Sequence, residues 1–528
     1  MESLKIIANA FVLTCDRDNR GGRYNLFIRD GRIAEISDSL DLFTSLHPYA
    51  TIVDAKNKLI IPGFVNAHFH PDSILLRDRT EGVHFSLWEQ DIRFHECSRK
   101  LLEASSYDDL RSLYLAVYFS HLKSGTTCVG DFCPRVSEQG LGHVLRAIDG
   151  TNVKSVITLT NWDQIAQAKE FDAAGRRFVI SLGKEEDYTV YSFENLTRAS
   201  KKLNIPLLAH LAEQRTDADI IRKNFQKRCL AVLHDYAALR PSTILVHLNH
   251  VAEQEVEMIA ETGAPVVVCA RSAASKQTGY PSLRHLLSHN VRLCIGTDWA
   301  SVDMMRDMHF LSELPLLVGG IRPIPARELV RMATINGASA LGLSAEIGSI
   351  ERGKKADLTF FNLEDMRLPM LSPHASADEL AELLVHHLSV GDISDVMIDG
   401  EFYVSNRQIM TMSEEDIIEG FRAIRERFYT VPGKKRVRTE RVQLAEQDQA
   451  TKAKIIPFVS ETRRMEEEAE GFVEGFSVVK ESDESIDVQK SSLNSPKPSS
   501  LSPDENEPPS KGDFSEKSKR VFGEDEEL

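Results

Sequence analysis

The sequence predicts an α/β protein: a closed barrel of eight strand–helix units, a small sheet domain beside it, and a polar C-terminal tail. Three observations carry this. Between residues 58 and 300, short runs rich in Val, Ile, Leu and Thr alternate with longer amphipathic stretches. Eight such runs are present, the number that closes a β/α barrel. The chain has 528 residues, too long for one ordinary domain and long enough to bury a barrel-sized core.

The eight runs are LIIPGFVNAHFH (59–70), TTCVGDF (126–132), VKSVITLT (153–160), RRFVISLG (176–183), IPLLAHLAE (205–213), TILVHLNH (243–250), APVVVCARS (264–272) and RLCIGTDWA (292–300). Between them, stretches such as 107–125 and 192–204 carry apolar residues at three-to-four spacing and end in Gly or Asn, as outer helices do. SLKIIANAFVLTCD, NLFIRDGRIAEISD and ATIVDAKNKL form a strand group before the barrel. ADLTFFNL (356–363) and VMIDGEFYVSNRQ (396–408) form another after it, and the two groups are expected to pair in one small sheet domain. From about 434 onward the chain is charged and partly helical in pattern, then rich in Ser, Pro and acidic residues, a composition that cannot bury enough apolar surface to offset chain entropy.

The formal charge of −16 argues against general affinity for nucleic acid or anionic lipid, which need a positive surface, and favours a small-molecule substrate. The first twenty residues alternate like a strand and lack a basic segment followed by a long apolar run, and no run reaches transmembrane length. Seven scattered cysteines, an odd number, several in apolar strand-like runs, read as reduced structural thiols, and the cytoplasm is the expected location. No GxGxxG or GxxxxGK[ST] phosphate loop is present.

The chemistry gathers at the ends of the strands. His68 and His70 close the first run, where alternation sends both imidazoles to one side. His210 and Glu213 follow the apolar IPLLA of the fifth, His247 ends the sixth and Asp298 the eighth, where barrel enzymes place catalytic groups. Three histidines and one aspartate around an open position suit one divalent ion, Zn²⁺ or Fe²⁺, which lowers the pKa of a bound water from 15.7 toward about 7. Glu213 is placed to carry a proton from that water to the substrate. At this stage His247 has two open roles, ligand or orienting the attacking water. His250 alternates to the opposite face and reads as structural.

PGFVNAHFH, GTTCVGDF, HLAE, VHLNHV, GTDW and TINGASALGLSAEIGSIERGKKADLTFFNL, in that order, resemble the amidohydrolase superfamily, and within it the branch of cytosine, guanine and adenosine-derivative deaminases and triazine hydrolases (chlorohydrolases). The resemblance runs from about residue 4 to 410. It implies a (β/α)8 TIM-type barrel over 59–349 and a composite β-sandwich from 1–58 and 350–410; beyond it, composition alone predicts a charged, partly helical extension over 411–470 and a disordered acidic tail over 471–528. It implies His68, His70, His210 and Asp298 as ligands of a single ion, Zn with Fe as the alternative. Glu213 would shuttle a proton to a ring nitrogen, and His247 with Asp298 would activate water. Glu96 and Trp299 fall at expected substrate contacts, and homodimeric assembly is common in such relatives. Three positions depart from the family pattern: GKEED before YTVYS where a histidine is common, ARSAAS without an Asn after its Ser, and Trp299 where a small residue is usual.

The leading expectation is therefore a metal-dependent aminohydrolase acting on a purine, pyrimidine or nucleoside-like ring. The alternatives are a triazine-type or cyclic-amide hydrolase, and a non-catalytic binding protein on the same scaffold that uses its tail for interactions.

Overall fold

The structure is a computed structural model and describes residues 3–80, 82–90, 107–133, 140–172, 177–183, 185–318 and 322–429. Glu96, the extension beyond 429 and the acidic tail lie outside the described residues.

Eight parallel strands follow one another in order around the barrel: Phe64–Phe69, Thr126–Asp131, Lys154–Leu159, Arg177–Ser181, Leu207–Leu211, Ile244–His247, Val266–Val268 and Leu293–Ile295. The ring closes between the eighth and first strands through a parallel bridge of Asp298 with Phe69, in which the Asp298 amide donates to the His68 carbonyl at 3.0 Å. Gly296 permits this approach, since a Cβ there would stand 2.9 Å from that of His68. Val65, Ala67, Cys128, Val156, Val179, Leu208, Val246, Val267 and Cys294 fill the interior, and Leu341, Leu343 and Ile347 pack against the same cluster. A larger core binds the outer faces of the strands to the helices. The helices end as their sequences suggest: Val190–Leu203 is capped by Asn204 in the left-handed region at φ 52°.

The run 59–70 proves to be two strands. Lys58–Pro62 pairs antiparallel with Leu358–Asn362 in the second sheet, and the barrel begins at Phe64. The break is Gly63, where a Cβ would fall 2.2 Å from the Thr127 hydroxyl, so the chain crosses from sheet to barrel where no side chain fits. Strands seven and eight are shorter than their apolar runs, because Ala270–Lys276 is helical and the eighth strand stops at Ile295.

The flanking strand groups join in one nine-stranded composite sheet. Its long first strand, Leu4–Leu13, shifts register at Asn9, which has φ 65°. The N-terminal part pairs with Thr51–Asp54 and the C-terminal part with Lys58–Pro62. Ile7, Leu26, Ile28, Ile60, Leu358, Phe360 and Met397 form an apolar core within this sheet domain, separate from the barrel's. The charged stretch after 410 contributes the helix Glu414–Tyr429, which buries Ile424 and Phe428 and is tied to the helix Tyr107–Lys123 by the Lys123–Glu414 ion pair at 2.6 Å. Six of the seven cysteines are described, all buried. Among the described residues no helix is long and apolar enough to cross a membrane.

Candidate metal centre and active site

The C-terminal ends of strands one, five, six and eight bring the predicted residues together. His210 Nε2 lies 3.0 Å from His68 Nε2, which lies 3.1 Å from His70 Nε2; Asp298 Oδ1 stands 3.1 Å from His70 Nε2 and 3.6 Å from His68 Nε2. A tetrahedral zinc with bonds near 2.0–2.1 Å holds its donors about 3.3 Å apart, so these spacings are those of one coordination sphere. Asp298 Oδ1 is buried without a hydrogen-bond partner, and three neutral imidazoles cannot all donate to one another. The donor set therefore fits a divalent cation.

Only His210 follows regular strand alternation into the site; the others reach it through backbone irregularity. His210 lies two residues after the inward Leu208 and keeps the inward phase, whereas Asp298 stands beyond the end of the eighth strand at Ile295, where the backbone turns with φ 48°. His68 follows the inward Ala67 directly; a register shift between Asn66 and Phe69 turns it, with His70, into the site. His247 follows the inward Val246, and its positive φ of 77° redirects the imidazole.

Burial keeps the histidines neutral, as ligands must be. It lowers His68 to about 4 and lowers His70, His210 and His247 as well, all against an ordinary value of 6.5. Burial opposes ionisation of Asp298 too, but the Lys276 ammonium and the His68 and His70 rings outweigh it and hold the carboxyl well below its usual range.

Beside the cluster, Glu213 Oε2 faces His247 Nε2 at 3.5 Å, and neither ring nitrogen of His247 has a hydrogen-bond partner. His247 groups with carboxylate oxygens of Glu213 and Asp298, and its ring also lies 5.4 Å from that of His210. His250 bonds the Thr278 carbonyl at 2.8 Å and takes no part in the cluster. Trp299 packs on the His70 ring, centroids 5.4 Å apart at 30°, and against Trp88 at 5.3 Å; Phe132 packs on His70 and His210, each at 4.7 Å. Flat aromatic walls therefore flank the ligands.

In GKEED, where a histidine was expected, Glu185 accepts the Ala212 amide at 2.8 Å and Tyr188 donates to the His210 carbonyl at 3.2 Å. The loop after strand four thus grips the strand end that presents His210 and Glu213. Burial pushes the Glu185 carboxyl up to about 8. Sequence reasoning missed Lys276, whose Nζ lies 2.7 Å from Glu213 Oε1 and 2.6 Å from Asp298 Oδ2, and did not assign Ser272 Oγ, which donates to the same Asp298 oxygen at 2.6 Å. The available signal was their i, i+4 spacing after strand seven, which places both on one helix face.

The chain is 29% identical over 422 residues to a 5-methylthioadenosine/S-adenosylhomocysteine deaminase of Pyrococcus furiosus, covering 76% of this chain and 95% of that protein. An adenosine deaminase from Xanthomonas campestris with bound zinc shares the fold, with TM-score 0.70, 21% identity, and 81% of this chain and 99% of that one covered. The atrazine chlorohydrolase TrzN from Arthrobacter aurescens, complexed with zinc, does so with TM-score 0.69, 18% identity and coverage of 80% and 100%. The amidohydrolase family model matches residues 59–402, from the last strand before the barrel to the returning strands of the composite sheet. By that match, and by the ligand cluster it contains, this chain belongs to the amidohydrolase family.

Proposed function

We propose that the chain is a metal-dependent aminohydrolase that replaces the exocyclic amino group of an adenine-nucleoside-like ring with oxygen, releasing ammonia. His68, His70, His210 and Asp298 hold the ion, with zinc favoured by the three-nitrogen, one-carboxylate donor set. When bound, that ion supplies the acidity that makes water a nucleophile near neutral pH.

The observation that carries the reading is Glu213, a nearly buried carboxylate beside the ligand cluster with one oxygen turned toward His247. In the proposed reaction Glu213 Oε2 takes one proton from the attacking water and delivers it to a ring nitrogen. The water's second proton goes to the amino group as the carbon–nitrogen bond breaks. His247 accepts a hydrogen bond from the water and fixes its approach. Trp299, whose ring lies over His70, offers a flat face on which a heteroaromatic ring can stack. The resemblance to a deaminase of adenosine derivatives across most of both chains favours this ring over a triazine or cyclic amide.

The test is ammonia release by zinc-loaded full-length protein from adenosine, 5′-methylthioadenosine, S-adenosylhomocysteine, guanine and cytosine, with product masses read in parallel. An adenine nucleoside converted to its NH₂-to-OH product is the expected result. Silence across the whole panel overturns the reading.

A further inference from the structure

Lys276 is a buried cation inside the site, with 2% of its side chain exposed. A desolvated ammonium persists only where it is paired, and this one is paired twice. It donates to Glu213 Oε1 at 2.7 Å and to Asp298 Oδ2 at 2.6 Å. Its remaining face is covered by aromatic rings, the Phe85 centroid 4.8 Å and the Trp88 centroid 5.6 Å from Nζ. Ser272, one turn earlier on the same helix, adds a second donor to Asp298 Oδ2.

The consequence is a division between the two oxygens of each carboxylate. Lys276 and Ser272 occupy Asp298 Oδ2, so Oδ1 is the atom left to face His68 and His70. Lys276 occupies Glu213 Oε1, so Oε2 is the atom turned to His247. We infer that Lys276 is a positioning residue that locks the metal-ligand carboxylate and the proton-carrying carboxylate in one fixed relation. It acts through Glu213 and Asp298 and has no direct part in the chemistry. The Glu213 half of this inference rests on the aminohydrolase reading; the Asp298 half does not.

The experiment compares wild type with Lys276→Met, Lys276→Arg and Glu213→Gln/Lys276→Met as full-length proteins, using zinc and the nucleoside panel. The first readout is thermal unfolding without and with zinc. In Lys276→Met two buried carboxylates lose their common cation, so the apoprotein melts lower, and zinc raises its Tm by more than it raises that of wild type. The second readout is kinetic. Lys276→Met lowers kcat about 10- to 100-fold with KM nearly unchanged, and the same change costs much less in the Glu213→Gln background, because the lysine acts through that carboxylate. Lys276→Arg keeps the charge and restores apoprotein stability, but its longer planar head displaces Glu213 and leaves kcat low.

Lys276→Met that matches wild type in both readouts overturns the inference, as does Lys276→Arg with fully restored kcat, since charge alone would then suffice. If Lys276→Met does not fold, the Lys276→Arg kinetics decide. If wild type turns over nothing in the panel, the aminohydrolase reading fails, and the zinc-induced change in Tm still decides whether Lys276 organises Asp298.

Discussion

Glu213 Oε2 and His247 Nε2 face each other across 3.5 Å, with the His247 ring 5.4 Å from that of His210. In the proposed reaction this pair handles protons while His68, His70, His210 and Asp298 hold the ion, so the two groups are expected to fail in different ways when substituted.

Glu213→Gln keeps the shape of the side chain and removes its capacity to carry a proton. Turnover should fall by about 10²- to 10⁴-fold while zinc content measured by elemental analysis stays at the wild-type level. Undiminished turnover would remove Glu213 from the mechanism.

His210→Ala and His247→Asn form a contrasting pair. The first takes away the nitrogen that lies 3.0 Å from His68 Nε2 and should abolish stoichiometric zinc. The second should retain zinc and lose at least about 100-fold in kcat, as removal of a group that orients the attacking water does. Equal loss of zinc in both would place His247 among the ligands.

The three clustered histidines set a pH window. Their folded values lie below 6.5, that of His68 at about 4, with burial as the chief cause. As pH falls below 6.5 the unfolded chain takes up protons that the folded site refuses, so stability present above that value drains away toward pH 4. The apoprotein Tm should fall across this interval, and zinc affinity, read by chelator competition, should drop most steeply toward its lower end. A drop centred at pH 6.5 would mean that the imidazoles are solvated.

Glu185 gives the opposite sign. Burial raises its folded value to about 8 from an ordinary 4.5, so the stability it contributes is complete below 4.5 and lost as pH rises through 8. Glu185→Gln keeps an oxygen for the Ala212 amide and removes the ionisation, so the variant should match wild type near pH 5 and exceed it by roughly 1–3 kcal/mol near pH 9. Denaturant titrations at the two pH values check this, and parallel curves would show that Glu185 does not change ionisation in this range.

Gly296→Ala tests the barrel seam. The added methyl would sit 2.6 Å from Val267 Cγ1 on the seventh strand and 2.9 Å from His68 Cβ on the first, so the eighth strand must shift against both neighbours. A loss of roughly 1–3 kcal/mol in unfolding free energy is expected, with reduced zinc occupancy because His68 is carried along. Full occupancy at wild-type stability would show that the seam yields without moving the ligand.

The barrel was legible because eight apolar runs at regular intervals are a local signal, as was the strand end at which His210 appears in phase with Leu208. Strand limits were less so. Gly63 reads as one more residue in an apolar run, and only the packing of Thr127 against it shows why the run divides between two sheets. Residues 270–272 continue the apolar pattern of strand seven yet turn into a helix, because the chain must fold back over the barrel end.

By itself the sequence determined which residues could serve as ligands and proton carriers, and the order in which a barrel would present them, since hydrophobic period and side-chain chemistry are properties of the local chain. Tertiary structure alone decided which way His68 and His247 face, through a register shift and a positive φ that alternation does not foresee. It alone decided that Lys276, which in sequence is an ordinary helix lysine, bridges Glu213 and Asp298. The reason is physical: a buried ammonium is defined by partners 63 and 22 residues away, and closure of the ring of strands is what brings them to it.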